Sequence, residues 1–242
     1  MKKGSRGKKR KRFFPWIISA ILLIILATGV GYLFFIPDIS KLVSENPQKT
    51  AFMAYREREW KAKGKRVKIK QRWVPLSQIS PHLIRAVIIA EDDKFWKHNG
   101  FDYEAIRAAI EQDIAARRFK FGGSTISQQL AKNLYLSPAK NPLRKIREAI
   151  ITWRLERTLS KRRILELYLN VIEWGEGIFG AEAAARYYYG KSASRLTPLE
   201  AARLAAVIPN PRRLNPRDNH RSVVRRSNRI WHRIMAIRGR EG

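Results

Sequence analysis

The chain has 242 residues, with 50 Lys and Arg against 20 Asp and Glu, a formal net charge of +30, and no cysteine. That length gives one substantial domain with room for an appendage, and the missing thiols exclude disulfides and thiolate metal sites. The charge calls for a polyanionic partner: nucleic acid, an anionic membrane surface or a phosphorylated substrate.

Residues 1–12 carry eight Lys or Arg and no acid, and the 24 residues from 13 to 36 carry no charge. As a helix this run spans about 36 Å at roughly 1.5 Å per residue, more than the roughly 30 Å of a bilayer's hydrocarbon core. It is longer than a signal-peptide core and no small-residue cleavage pattern closes it, so it predicts a single transmembrane helix. The flanking positives place residues 1–12 in the cytoplasm, with Trp16 and Tyr32 near the two interfaces. Everything after residue 36 then lies beyond the membrane, away from nucleic acid. Without the tail, 42 basic residues still face 20 acidic ones, an excess that suits lipid headgroups and phosphorylated lipid substrates.

Residues 37–75 read as a connector with Pro37, Pro47, Gly64 and Pro75, and with one short strand around Val67, Ile69 and Gln71. From residue 76 to the end the pattern is helical. Helices are predicted near 81–91, 103–117, 125–135, 142–159, 161–170, 179–188, 197–207 and 219–236. Asp102 and Thr197-Pro198-Leu199-Glu200 supply start signals, and Gly190 a stop. No strand pattern stands out after residue 75, so the predicted fold class is all-α, with one domain over 76–242.

Four segments carry the chemistry. In the first, the apolar run Ala86-Val87-Ile88-Ile89-Ala90 leads into Glu91-Asp92-Asp93 and on to His98-Asn99-Gly100. Acids at a helix C-terminus oppose the helix dipole, and such a breach of local preference points to function. Desolvation by the apolar run raises the pKa of Glu91 toward the range of a general base at neutral pH. Asp92 and His98 read as loop-fixing residues. In the second, Gly122-Gly123-Ser124-Thr125 opens a helix through a Thr125–Gln128 capping box. A glycine-led helix start also receives phosphate, and Gln129 and Lys132 share one face behind it. The third, Arg144-Lys145-Ile146-Arg147-Glu148, places Arg144 and Lys145 within reach of Glu148; by itself it is an ordinary surface salt-bridge ladder. The fourth runs from Lys161 to Asn170 and then Glu173 to Gly180. Its Tyr168 and Trp174 read as packing and its glycines as tight turns.

Together these segments resemble the peptidoglycan glycosyltransferases of glycosyltransferase family 51. E-D-x-x-F-x-x-H-x-G at 91–100 and G-G-S-T-I-S-Q-Q-L-x-K-N at 122–133 match completely, and R-K-x-x-E at 144–148 and K-x-x-I-L-E-x-Y-L-N at 161–170 follow in order. The segment Arg226–Ile234 departs from the family pattern and carries no site assignment. With no penicillin-binding transpeptidase domain after it, the chain is similar to the monofunctional members.

The resemblance implies a lysozyme-like fold and lipid II as substrate, a disaccharide-pentapeptide on undecaprenyl diphosphate. It implies one inverting displacement, with the growing glycan strand as product, in the bacterial inner membrane with a periplasmic catalytic domain. It casts Glu91 as the base at the acceptor 4-hydroxyl and Glu148 as the second carboxylate on the leaving-group side, orienting basic groups or holding Mg²⁺ or Mn²⁺. It casts Lys132, Lys140 and Lys145 as diphosphate contacts, with Ser124 and Gln129 also binding substrate. Cell-wall synthesis or division proteins are the expected protein partners. Apolar residues among cations, Phe119, Phe121, Tyr135 and Leu136, are candidates for the membrane interface. The rival readings are a lytic, glycan-cleaving enzyme, which also needs two carboxylates, and a non-enzymatic membrane-anchored scaffold.

Overall fold

A computed structural model describes residues 14–34, 37–115, 123–138 and 141–238. The chain forms two compact units, residues 1–37 and 38–242. The first contains α1 (Phe14–Phe34), 21 residues without a charge. Its side chains are described over 16–31; they are apolar or small on every face, and nearly all are exposed. Among the described residues no helix is long and apolar enough to cross a membrane.

The second unit is mostly helical. It holds α2 (Ala51–Ala62), β1 (Lys70–Gln71), α3 (Pro81–Glu91), α4 (Tyr103–Ala115), α5 (Ile126–Tyr135), α6 (Pro142–Thr158) and α7 (Lys161–Val171). β2 (Glu173–Gly175), β3 (Ile178–Phe179), α8 (Ala181–Tyr189), α9 (Pro198–Val207) and α10 (Arg221–Arg238) follow.

The expected boundaries of α3 hold to the residue. Ser80 caps it, its hydroxyl accepting from the His82 N–H, and Pro81 occupies the first turn where its missing N–H costs nothing. The Thr125–Gln128 and Thr197–Glu200 capping boxes both form, and Gly190 ends α8 in the left-handed conformation.

Two features depart from the sequence expectation. Residues 51–62, within the stretch read as a connector, form α2, capped by Thr50 and built into the second unit. Its high charge hid it, because only Met53 and Trp60, two turns apart, are buried. They pack with Phe179, and Val67 and Ile69 lean on the same cluster. The fold is also not purely helical. β1 runs parallel to β3, and β3 pairs antiparallel with β2 across a bulge, in the order β1-β3-β2. Strands of two or three residues interrupted by glycine show no alternating pattern, so periodicity does not reveal them.

The core positions the site through two groups of packed helices. α3 lies against α9 and α10, and α5 against α6, α7 and α2. Leu83, Ala86 and Val87 of α3, Leu130 and Ala131 of α5, and Leu165 and Leu169 of α7 are wholly buried.

Candidate active site

α3 ends on Glu91 because the chain turns at Asp92, whose N–H closes the helix on the Ile88 carbonyl at 2.8 Å. The three acids at this end are each compensated from elsewhere. Asp92 serves the next helix: Oδ2 accepts the Ile126 N–H at 2.9 Å, neutralising the positive start of α5. Its Oδ1 lies 2.8 Å from His98 Nε2, and His98 Nδ1 accepts the Gly100 N–H at 3.1 Å, so the network assigns the ring proton to Nε2. Thr125 Oγ1 donates to the Gly100 carbonyl at 2.7 Å. Asp93 pairs with Arg233 of α10 at 2.6 Å. The sequence expectation that Asp92 and His98 fix the loop is met by this geometry.

Glu91 retains 11% side-chain exposure and is held from two sides. Gln129 Nε2 donates to Oε2 at 2.9 Å, and Arg226 Nη2 to Oε1 at 2.8 Å. Tyr168, fully buried, donates through its hydroxyl to Gln129 Oε1 at 2.9 Å, which orients the amide with its N–H groups toward the carboxylate. Burial pushes the Glu91 carboxyl above the usual carboxylate range, against the opposing effects of Gln129, Arg226 and Lys132. Glu91 borders a cleft of about 220 Å³ with Asp102, Gly123, Ser124 and Arg233.

Glu148 sits on α6 with only 3% of its side chain exposed. Arg144, one turn earlier, reaches its Oε2 at 2.7 Å, and Lys145 pairs with its Oε1. Lys145 also reaches Ser124 Oγ at 3.4 Å, which ties α6 to the loop before α5. Lys132 senses both carboxylates. Desolvation lowers its pKa, while Glu148 and Glu91 oppose that shift. Ser124, Gln129, Lys132, Lys145, Glu91 and Glu148 are therefore joined through direct contacts or shared electrostatics. Lys140 lies outside the described residues, as do Phe119 and Phe121.

Each Glu148 oxygen faces one cation, Arg144 or Lys145. Among the described residues no group of three His, Asp or Glu side chains comes together to hold an ion. Sequence reasoning also missed three residues. Arg226 and Arg233 lie in the segment that departs from the family pattern, and Tyr168 reads as core. Their signal was the repeat of arginines along α10, which without a known partner looks like a solvated face.

A desolvated carboxylate bordering a cleft, with Lys132 sensing both it and the cation-held Glu148, makes a candidate site for acid–base chemistry on an anionic substrate. Residues 59–235 match the family model described as "Transglycosylase". The chain is 52% identical over 203 residues to a "Biosynthetic peptidoglycan transglycosylase" of Nitrosospira multiformis, covering 83% of this chain and 87% of the relative. A protein of the same name from Dechloromonas aromatica is 59% identical over 69% of this chain and 72% of its own. Another, from Methylobacillus flagellatus, is 47% identical over 93% of this chain and 96% of its own. The chain belongs to the transglycosylase family.

Proposed function

We propose that the protein is a peptidoglycan glycosyltransferase that joins lipid II units into glycan strands, with Glu91 as the base. The observation that carries this reading is the pairing of one desolvated carboxylate, bordering a cleft, with a second that is locked among cations. Glu91 accepts the proton of the acceptor 4-hydroxyl as that oxygen attacks the donor's anomeric carbon. The bond between the anomeric carbon and the phosphate oxygen breaks, and undecaprenyl diphosphate leaves with that oxygen and the electron pair. Attack from the face opposite the leaving group inverts the centre. Lys132, Lys145 and Arg144 supply positive charge for the departing diphosphate, and Glu148 holds the latter two in place. We place Ser124 and Lys140 on the same substrate surface.

Glu148 argues against the lytic reading. A glycosidase needs its second carboxylate to attack the sugar or activate water. Here the Glu148 side chain is only 3% exposed, against 11% for Glu91, which leaves a sugar or a water little access to it. Incubation with lipid II and, separately, with finished glycan strands tests the choice. Transfer predicts polymer from lipid II and intact glycan; shortened glycan with no polymer contradicts it.

Peptidoglycan synthesis places the enzyme in the cell envelope. We assign α1 as a single-pass inner-membrane anchor, supported by its uncharged 21 residues, its exposed apolar surface and the eight cations before it. The described α1 alone is not a spanning helix; the assignment rests on the full uncharged run of 24 residues from 13 to 36, about 36 Å if helical at roughly 1.5 Å per residue. The tail is then cytoplasmic and the catalytic unit periplasmic, where cell-wall synthesis or division proteins are its expected neighbours. A reporter fused after residue 242 should be active only outside the cytoplasm; cytoplasmic activity refutes this topology.

A further inference from the structure

α10 reaches back to the catalytic end of α3 with two arginines seven residues apart, on one face of the helix. Arg233 holds the Asp93 carboxylate and donates to the Ile89 carbonyl at 3.3 Å. Arg226 does something different. Its Nη2 donates to Glu91 Oε1 at 2.8 Å and also lies 3.4 Å from the Ala90 carbonyl, the residue before the base. One guanidinium nitrogen thus touches both the reacting carboxylate and the backbone that carries it. The Arg226 Nε is buried with no hydrogen-bond partner. A buried donor left unsatisfied is costly, and a side chain kept in that state has a use elsewhere.

We propose that Arg226 is a positioning residue for the base: it fixes one oxygen of Glu91 and supplies the countercharge that a nearly buried carboxylate needs in order to stay ionised. The inference rests on Glu91 being the base of glycosyl transfer. Each oxygen keeps a second lone pair, so the contacts from Arg226 and Gln129 orient the group without consuming its capacity to take a proton.

The charges around Glu91 separate the part played by Arg226 from those of its neighbours. From α5 come the neutral Gln129 amide and Lys132, itself desolvated and shared with Glu148. From α7 comes the neutral hydroxyl of Tyr168, acting through Gln129. From α3's own end, Asp92 opposes ionisation, but it is engaged by His98 and the α5 N-terminus. Asp93 is matched by Arg233, and Asp102, on the same cleft, caps α4 through the Ala105 N–H at 2.9 Å. Arg225 and Arg229 flank Arg226 on a separate cavity, which Ser222 and Leu214 also line. Among the described residues, Arg226 is thus a cation in direct contact with the base. An opposite charge at such range lowers a carboxyl pKa by one or more units.

The test is the pH profile of lipid II polymerisation by the full-length protein in detergent. The reaction needs Glu91 ionised, so the rate falls as pH drops through its pKa. Without Arg226 that pKa rises, and the acid limb of kcat moves to higher pH. Arg226→Gln is expected to shift the limb up by about one unit. Its activity then drops about tenfold on the acid side and recovers on the alkaline side. Arg226→Lys keeps a charge and should hold the limb near the wild-type position. Arg226→Met, which preserves the packing of the side-chain stem, reads the same shift if the glutamine variant does not fold. Arg233→Gln combined with Asp93→Asn is the packing control: it removes the other α10-to-α3 ion pair without changing the net charge at the end of α3, and its limb should stay in place. A uniform loss at every pH, or no change, in Arg226→Gln and Arg226→Met overturns the proposal. Glu91→Gln separates the two layers, since activity surviving in that variant refutes the base assignment itself, whatever the arginine does.

Discussion

Three consecutive acids at a helix end looked wrong in the sequence, and each now has a distinct partner. Glu91 faces Gln129 and Arg226, Asp92 starts α5, and Asp93 meets Arg233. The anomaly was legible because helix-dipole preferences are local; the partners were not, because two of them come from a helix some 135–140 residues later. Tyr168 illustrates the same limit. A buried aromatic within an ordinary core stripe gives no sign that its hydroxyl orients the Gln129 amide beside Glu91. Tyr168→Phe keeps the ring's packing but frees the Gln129 amide to turn its oxygen toward Glu91, a contact tolerated only when Glu91 is protonated. The variant should fold with a melting temperature close to wild type and lose about tenfold or more in kcat, in line with the usual worth of a buried hydrogen bond to a charged group. Full activity with an unchanged melting curve would remove Tyr168 from the positioning chain.

The helices of the catalytic unit were largely predictable because their boundaries are written in caps: Ser80 with Pro81, Thr125 with Gln128, and Thr197 with Glu200. The small sheet was not, since it depends on backbone geometry rather than on side-chain period. Gly180, between β3 and α8, has φ +83°, and a Cβ there would lie 2.7 Å from the Asn170 carbonyl oxygen. That carbonyl also accepts from Gln71 Nε2 at 2.8 Å, while the Asn170 side chain bonds both backbone groups of Val74. The carbonyl therefore cannot yield easily. Gly190, with φ +66°, has open space around it. Gly190→Ala should cost about 1 kcal/mol of backbone strain. Gly180→Ala adds a clash with fixed backbone and should cost at least about 2 kcal/mol. Chemical denaturation of both variants measures this; equal losses would mean that the Asn170 contact carries no weight.

At the scale of the whole catalytic unit, charge is distributed between work and structure. Glu59 of α2 gathers Lys63, Arg56 and Arg212, and Arg56 continues to the buried Glu173 of β2. The contact from Lys63, followed by those from Arg56 and Arg212, holds the Glu59 carboxyl down to about 2. A depressed carboxyl adds stability above its unfolded pKa, and that contribution fades as pH falls from about 4.5 toward 2. Glu59→Gln should therefore be less stable than wild type by about 1–2 kcal/mol at neutral pH, with the difference closing at the acid end. Thermal melts across pH read this directly, and a gap as wide near pH 2 as at neutral pH contradicts the ionic account.

The net charge suggested an anionic partner but not how much of it serves the substrate. The structure gives part of the answer: Arg56 and Arg212 pair on α2 and the strand region, while Arg144, Lys145 and Lys132 gather around Glu148. The order of motifs identified the chemistry, and the fold added which oxygen of which carboxylate is held, and by what.

The account turns on Glu91 as the proton acceptor. Its most direct test is polymerisation of labelled lipid II by the detergent-solubilised wild type and by Glu91→Gln, with circular dichroism confirming that both are folded. The account predicts polymer from the wild type and none from the variant at any pH. Polymer from a folded Glu91→Gln protein would contradict it.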